Sequence, residues 1–290
     1  MVIILCLCFT YHCGGINQVN YNNTKELSDE EWQHYLSYTP AQYIQIIEES
    51  LQKQNRYFAE HGFLKLIMML ANSPFSGFES QRFLPSGFEA FRARIYTGSD
   101  AEERFLRAAQ FGSFSGYDKE NSGAPPASSI SIGRANPQGI RYIYLSSDYK
   151  TSIFEVRASL HEYVSVATIK FNHDVHLFNL ASRWSGIDAS EKDRSEWINE
   201  FTLHLVRLFQ RPHQKDGDYL LCQYICAYLQ SLGFDGVLYR SSKTNCNDYD
   251  IGFNLVIFNP DYCVPISSQL YLIRSINMDL EHSKDDFGRV

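Results

Sequence analysis

The run Gly133-Arg134-Ala135-Asn136-Pro137-Gln138-Gly139 opens the stretch that decides the fold, and it continues unbroken to Arg157. Asn136, Pro137 and Gly139 set tight-turn geometry and continue neither a helix nor a strand. A short apolar and aromatic strand follows, Tyr142 to Leu145. Ser146, Ser147 and Asp148 then supply side chains able to cap a helix that carries Thr151, Ile153, Phe154, Glu155 and Val156. One turn–strand–helix unit therefore brings together a guanidinium from Arg134, a phenol from Tyr144 and a carboxylate from Glu155.

Working outward, composition sets the bounds. A chain of 290 residues can bury one sizeable core with an extension, or two modest cores. Hydrophobic content of 44% with 20% charged residues is that of a soluble globular protein. A net charge of −7 argues against a nucleic-acid-binding surface, though a local basic pocket remains compatible with it. The seven cysteines include no C-x-x-C pair, which favours a reducing, cytoplasmic setting over a disulfide framework. Cys6, Cys8 and Cys13 lack a fourth ligand at a recognisable spacing, so no metal is expected. The apolar start Val2–Thr10 is about half the ~20 residues that a membrane-spanning helix needs, and it has no basic n-region. It reads as a buried strand or the remnant of a longer N-terminal region, with a cleaved signal as the alternative.

The first 80 residues read as a small helical extension. Ser28 and Glu31 form a capping-box pattern ahead of Trp32, Tyr35 and Leu36. Thr39-Pro40 marks a second helix, expected to run to His61 and stop at Gly62, and Phe63–Leu70 a third. The Ser-, Pro- and Gly-rich stretch from 72 to 87 places a boundary there, with a main domain over 86–275 and a charged tail over 276–290. Phe91-Arg92-Ala93-Arg94-Ile95 reads as the first strand of that domain, its two arginines sharing one face. Two guanidinium groups on one strand face suit an anion. Asp100–Phe111 reads as a short helix, Val164–Phe171 and Val175–Leu180 as strands, and Glu196–Phe209 and Tyr219–Leu232 as helices. Gly236–Tyr239 follows as a strand, with Phe253–Phe258 expected to be the last. Helices and strands lack the regular alternation of a parallel sheet, so the class is α+β. Neither a dinucleotide-binding Gly fingerprint, a Walker loop nor a nucleophile elbow occurs. His173 and His176 have no carboxylate partner in the pattern and read as structural or exposed.

These residues resemble the signature of the RES domain, the toxin-type domain named for its Arg, Glu and Ser. That pattern runs G-R-x-N-P-x-G, a short Y-L strand, then T-x-x-x-E-V-R, and it is matched from Gly133 to Arg157. Phe91–Ile95 upstream, and Gly233–Ser242 and Asn254–Pro260 downstream, fit the same order. One departure is Cys222, which stands where the family commonly has Thr, beside a retained Gln223. The resemblance implies an ADP-ribosyltransferase-like mixed β core with flanking helices and an enzyme that consumes NAD as substrate, with no further cofactor. It implies that Arg92, or Arg94, and Arg134 grip the dinucleotide, that Tyr144 lines the nicotinamide pocket, and that Glu155 is the catalytic carboxylate. Ser241, with Ser242 as the adjacent alternative, is the family's Ser.

The residue types suit that chemistry. Planar guanidinium groups match a pyrophosphate bidentately. A carboxylate beside the ribose stabilises the oxocarbenium-like carbon as nicotinamide departs. The resemblance also implies a separately encoded antitoxin as partner. Water, phosphate and a protein side chain all stay open as acceptors, as does a non-catalytic module that binds a nucleotide or a partner.

Overall fold

The computed structural model describes residues 27–53, 61–72, 80–126, 129–181, 192–211, 219–243 and 252–276. The N-terminal cysteines, the apolar start and the charged tail beyond 276 lie outside them. Eight strands form one mixed sheet in the order β1-β5-β6-β7-β3-β2-β4-β8. The strands are β1 (Gln81–Leu84), β2 (Glu89–Ile95), β3 (Ile143–Ser146), β4 (Tyr163–Phe171), β5 (Val175–Asn179), β6 (Gly236–Arg240), β7 (Phe253–Ile257) and β8 (Cys263–Leu272). The β5–β6 pair is parallel and the other pairs are antiparallel. With its helices, the fold is α+β.

The sheet is well knit except at one seam. β2 meets β3 through the single residue pair Phe91–Ser146, whereas β2 and β4 run in register from Glu89–Lys170 to Ile95–Val164. Strand pairing also fixes which side chains share a face, because residues directly opposite point the same way. Phe91, Ser146, Asn254 and Tyr239 form one such row across β2, β3, β7 and β6. Tyr144, Val256 and Val237 lie two residues along on the same face. Arg92 and Arg94, opposite Ala167 and Ser165, point to the other face.

The helices are α1 (Asp29–Leu36), α2 (Pro40–Lys53), α3 (His61–Asn72), α4 (Ala101–Leu106), α5 (Lys119–Ser122), α6 (Tyr149–Glu155), α7 (Lys192–Gln210) and α8 (Leu220–Ser231). At α1 the capping box is complete: Ser28 Oγ accepts from the Glu31 amide, and the Glu31 carboxylate accepts from the Ser28 amide. The three N-terminal helices share a core with the rest of the chain. Trp32, Tyr35, Tyr43 and Phe63 join Trp197 and Phe201 of α7, helix α8, and the Val237–Val256 face of the sheet. Trp197 stacks on Phe201 at 5.2 Å, and its indole N–H donates to the Tyr38 carbonyl at 2.8 Å. The opposite sheet face carries a second cluster, including Leu145, Ile169, Leu177 and Leu255.

Three sequence expectations need correction. Gly62 stops no helix; α2 ends at Lys53 among the described residues, and Gly62 lies in the first turn of α3. β7 is not the last strand, because β8 follows it and pairs with β4. Pro265 hides β8 in the sequence, since proline argues against a strand interior. Here it falls on an edge strand at the register irregularity beside Ile169, where a missing N–H is tolerated. Finally, the stretch from 72 to 87 contains β1, the other edge of the sheet. No helix among the described residues is long and apolar enough to cross a membrane.

Candidate active site

The loop before β3 is built around its own side chains. Asn136 is buried, and its Nδ2 donates to the carbonyls of Ser131 and Pro137. Its Oδ1 accepts from the Tyr144 hydroxyl at 2.7 Å, and that hydroxyl accepts in turn from the Ala135 amide at 3.0 Å. Glycine is required at 133, since a Cβ there would collide with Asn136 Oδ1 and the Tyr144 hydroxyl. From α8, Gln223 Nε2 donates to the Gly133 carbonyl at 2.9 Å. Arg134 thereby projects from a loop tied by these five hydrogen bonds.

The Arg134 guanidinium lies over two aromatic rings, 5.1 Å from the Tyr219 centroid and 5.8 Å from that of Tyr239. It donates to the Leu208 carbonyl near the end of α7 at 3.3 Å. Tyr239 is buried on the sheet face beneath it. Burial holds the Tyr239 phenol above its ordinary range, the Arg134 charge opposing this and Glu155 adding to it. Tyr239 therefore stands in the fields of both the cation and the carboxylate.

Glu155 is delivered by the strand–helix turn. Asp148 caps α6, accepting from the Thr151 amide at 2.8 Å and the Thr151 hydroxyl at 2.6 Å. It also accepts from Ser147 and from the Gly252 amide, so the start of the helix is tied to the start of β7. Burial works against its ionisation, but these hydrogen bonds outweigh burial and hold its carboxyl below the usual range. Glu155 is the last residue of α6, where the helix dipole disfavours a carboxylate. Local compensation comes from elsewhere in the fold: Ser241 Oγ and Asn254 Nδ2 each donate to Glu155 Oε1 at 2.6 Å. Ser241 and Asn254 are buried, while Glu155 is exposed.

The expectation that Arg92, Arg94, Arg134, Tyr144, Glu155 and Ser241 converge on one spot needs correction. Arg134, Tyr144, Glu155 and Ser241 gather on one side of the sheet. Arg92 and Arg94 leave the opposite face, where Arg92 donates to the Ser122 carbonyl at 3.4 Å and Arg94 to the Asn121 carbonyl at 2.6 Å. The two differ in kind. Burial, with the neighbouring Arg94 charge, lowers Arg92 to about 10, so its guanidinium is desolvated while holding one long contact among the described residues. It also sits next to Phe91, at the single-pair seam between β2 and β3. The Tyr144 hydroxyl is committed to Asn136 and Ala135 and pins the loop. Of the two serines, Ser241 reaches Glu155, and Ser242 is exposed.

Sequence reasoning missed Asn254, Tyr239 and Ser146. Asn254 stood in a quoted motif, and a lone amide in the apolar run Phe253–Phe258 was the available signal. His176 is structural as expected. It stacks on Phe83 at 4.3 Å, lies against Phe234, and is lowered to about 4 by burial. Among the described residues no group of three or more His, Cys, Asp or Glu side chains could hold a metal ion.

No curated protein matches this sequence. Among solved structures, the chain is similar to one in the crystal structure of the M. tuberculosis MbcT-MbcA toxin-antitoxin complex. The two are 14% identical with a TM-score of 0.36, over 74% of this chain and 98% of that one. The RES domain family matches residues 101–272, more than half the chain and including the Arg134 loop, Glu155, Ser241 and Asn254. With that match, the chain belongs to the RES domain family.

Proposed function

We propose that this protein cleaves the bond between nicotinamide and ribose in NAD. The observation that carries the reading is the exposed Glu155 carboxylate, fixed by two 2.6 Å donors on the same side of the sheet as the Arg134 guanidinium, which lies over buried Tyr239. Arg134 matches one phosphate of the dinucleotide. Its planar fork suits bidentate contact with that phosphate. The bond electrons leave with the nicotinamide nitrogen, which becomes neutral, so the departing group needs no acid. The Glu155 carboxylate stabilises the positive ribose carbon that is left. Water or phosphate then bonds to that carbon, releasing a proton in the case of water. Membership of the RES family is the ground for proposing that the activity is toxic and is held in check by a separately encoded antitoxin.

The test is NAD consumption by purified wild type and Glu155→Ala, with and without phosphate, products identified by mass. Turnover is expected in the wild type and a loss of about a hundredfold or more in the variant. ADP-ribose as product identifies hydrolysis, and ADP-ribose 1-phosphate identifies phosphorolysis. NAD left intact by both proteins over hours sinks the reading. Label from NAD appearing on a protein would move the proposal to ADP-ribosyl transfer.

A further inference from the structure

The two oxygens of Glu155 are not equivalent. Oε1 accepts from both Ser241 Oγ and Asn254 Nδ2, whereas no donor among the described residues reaches Oε2. Behind Asn254 stands Ser146, whose hydroxyl donates to Asn254 Oδ1 at 3.0 Å. Ser146 and Asn254 are directly opposite each other on β3 and β7, and both are buried, at 4% and 6% exposure. Their strand neighbours Leu145, Leu255 and Val256 are apolar and buried. Two polar side chains inside such strands are unfavourable unless their hydrogen bonds are made.

The chain of donors can run in only one direction. A carboxylate only accepts, so the amide must turn its NH2 toward Glu155. Its carbonyl then faces Ser146, and that hydroxyl must donate. A flipped amide would set its oxygen against a carboxylate oxygen.

We propose that Asn254, backed by Ser146, is a positioning residue that fixes Glu155 through Oε1 and leaves Oε2 as the oxygen that faces the reacting ribose. This rests on the reading of Glu155 as the catalytic carboxylate. Ser241 acts on the same oxygen: its one proton goes to Glu155, and its Oγ accepts from the Lys243 amide at 3.0 Å. Ser241 is therefore a second positioning group, with no proton left for the ribose. Substrate binding is the task of Arg134, so loss of the amide should appear in kcat.

The experiment is a double-mutant cycle in NAD consumption with Asn254→Ala, Ser146→Ala and the double variant, each checked by thermal unfolding. Asn254→Ala is expected to lower kcat about tenfold or more with KM within about twofold. Ser146→Ala should lower kcat by a smaller factor, and the double variant should be no worse than Asn254→Ala alone, because the serine acts only through the amide. Asn254→Asp, which keeps the shape but removes the donor, should be at least as impaired and serves where the alanine variant does not fold. Independent effects of the two residues, an effect confined to KM, or full activity in Asn254→Asp overturns the proposal.

A readout without NAD separates the two layers of inference. The Asn254 side-chain amide protons, followed by NMR, should shift in Glu155→Ala and in Ser146→Ala. No shift in Glu155→Ala removes the positioning contact whatever the activity. A shift accompanied by undiminished NAD turnover in Glu155→Ala instead removes the catalytic reading, and the role of Asn254 falls with it.

Discussion

At the residue scale, the three arginines show how environment separates identical side chains. Arg134 has two tyrosine faces and one carbonyl, and it shares a sheet face with Glu155. Arg94 makes a 2.6 Å bond to a backbone carbonyl on the far face. Arg92 is desolvated and, among the described residues, donates only to the Ser122 carbonyl at 3.4 Å. If anion binding follows these differences, Arg134→Ala raises KM for NAD by about tenfold or more, the worth of a charge-assisted bidentate contact. Arg94→Ala should leave KM within about twofold. Steady-state kinetics on the two variants checks this, and equal effects would contradict the face assignment. The alternation in Phe91–Ile95 made the shared face of Arg92 and Arg94 legible. It could not say that Glu155 would stand on the other side, because that depends on how α6 packs against β2.

At the element scale, α6 is short and owes its place to its ends. Seven residues are too few to be helical alone. Asp148 closes the N-terminus and ties it to Gly252, while Ser241 and Asn254 hold the last residue. Asp148→Ala should therefore cost roughly 1–2 kcal/mol, the range of a lost N-cap. Measured by thermal unfolding, Tm should fall by a few degrees. Because Glu155 rides on this helix, NAD turnover should fall further than the small unfolded fraction explains. A Tm equal to wild type would show that the cap does not bear on the fold. The cap was readable from Ser146-Ser147-Asp148 as a choice among three residues; the geometry selects the third.

At the scale of the whole molecule, the N-terminal helices and the RES region share one apolar interior. Tyr35 and Tyr43 pack on Trp197, which stacks in turn on Phe201. Trp197 also donates to the Tyr38 carbonyl, so α7 is bonded to the connection between α1 and α2. Trp197→Ala should destabilise the protein by about 3–5 kcal/mol, the cost of truncating a buried aromatic residue. Denaturant unfolding should show one transition that moves as a unit. Two transitions, with only the first displaced, would mean that the helices melt apart from the sheet.

Sequence alone determined the local elements whose signals are local: the capping box at Ser28, the turn at Asn136-Pro137, and the strand and helix that follow. It also carried the family resemblance, since G-R-A-N-P-Q-G and the residues through Arg157 lie in one continuous run. The tertiary structure decided what depends on strand pairing and packing across long separations. It set Asn254 beside Ser146 and under Glu155, turned the Tyr144 phenol back onto Asn136, and sent Arg92 and Arg94 to the opposite face. Periodicity records which way a side chain points relative to its own strand. Which neighbour it meets is set by register between segments 99 to 108 residues apart, and no local pattern encodes that.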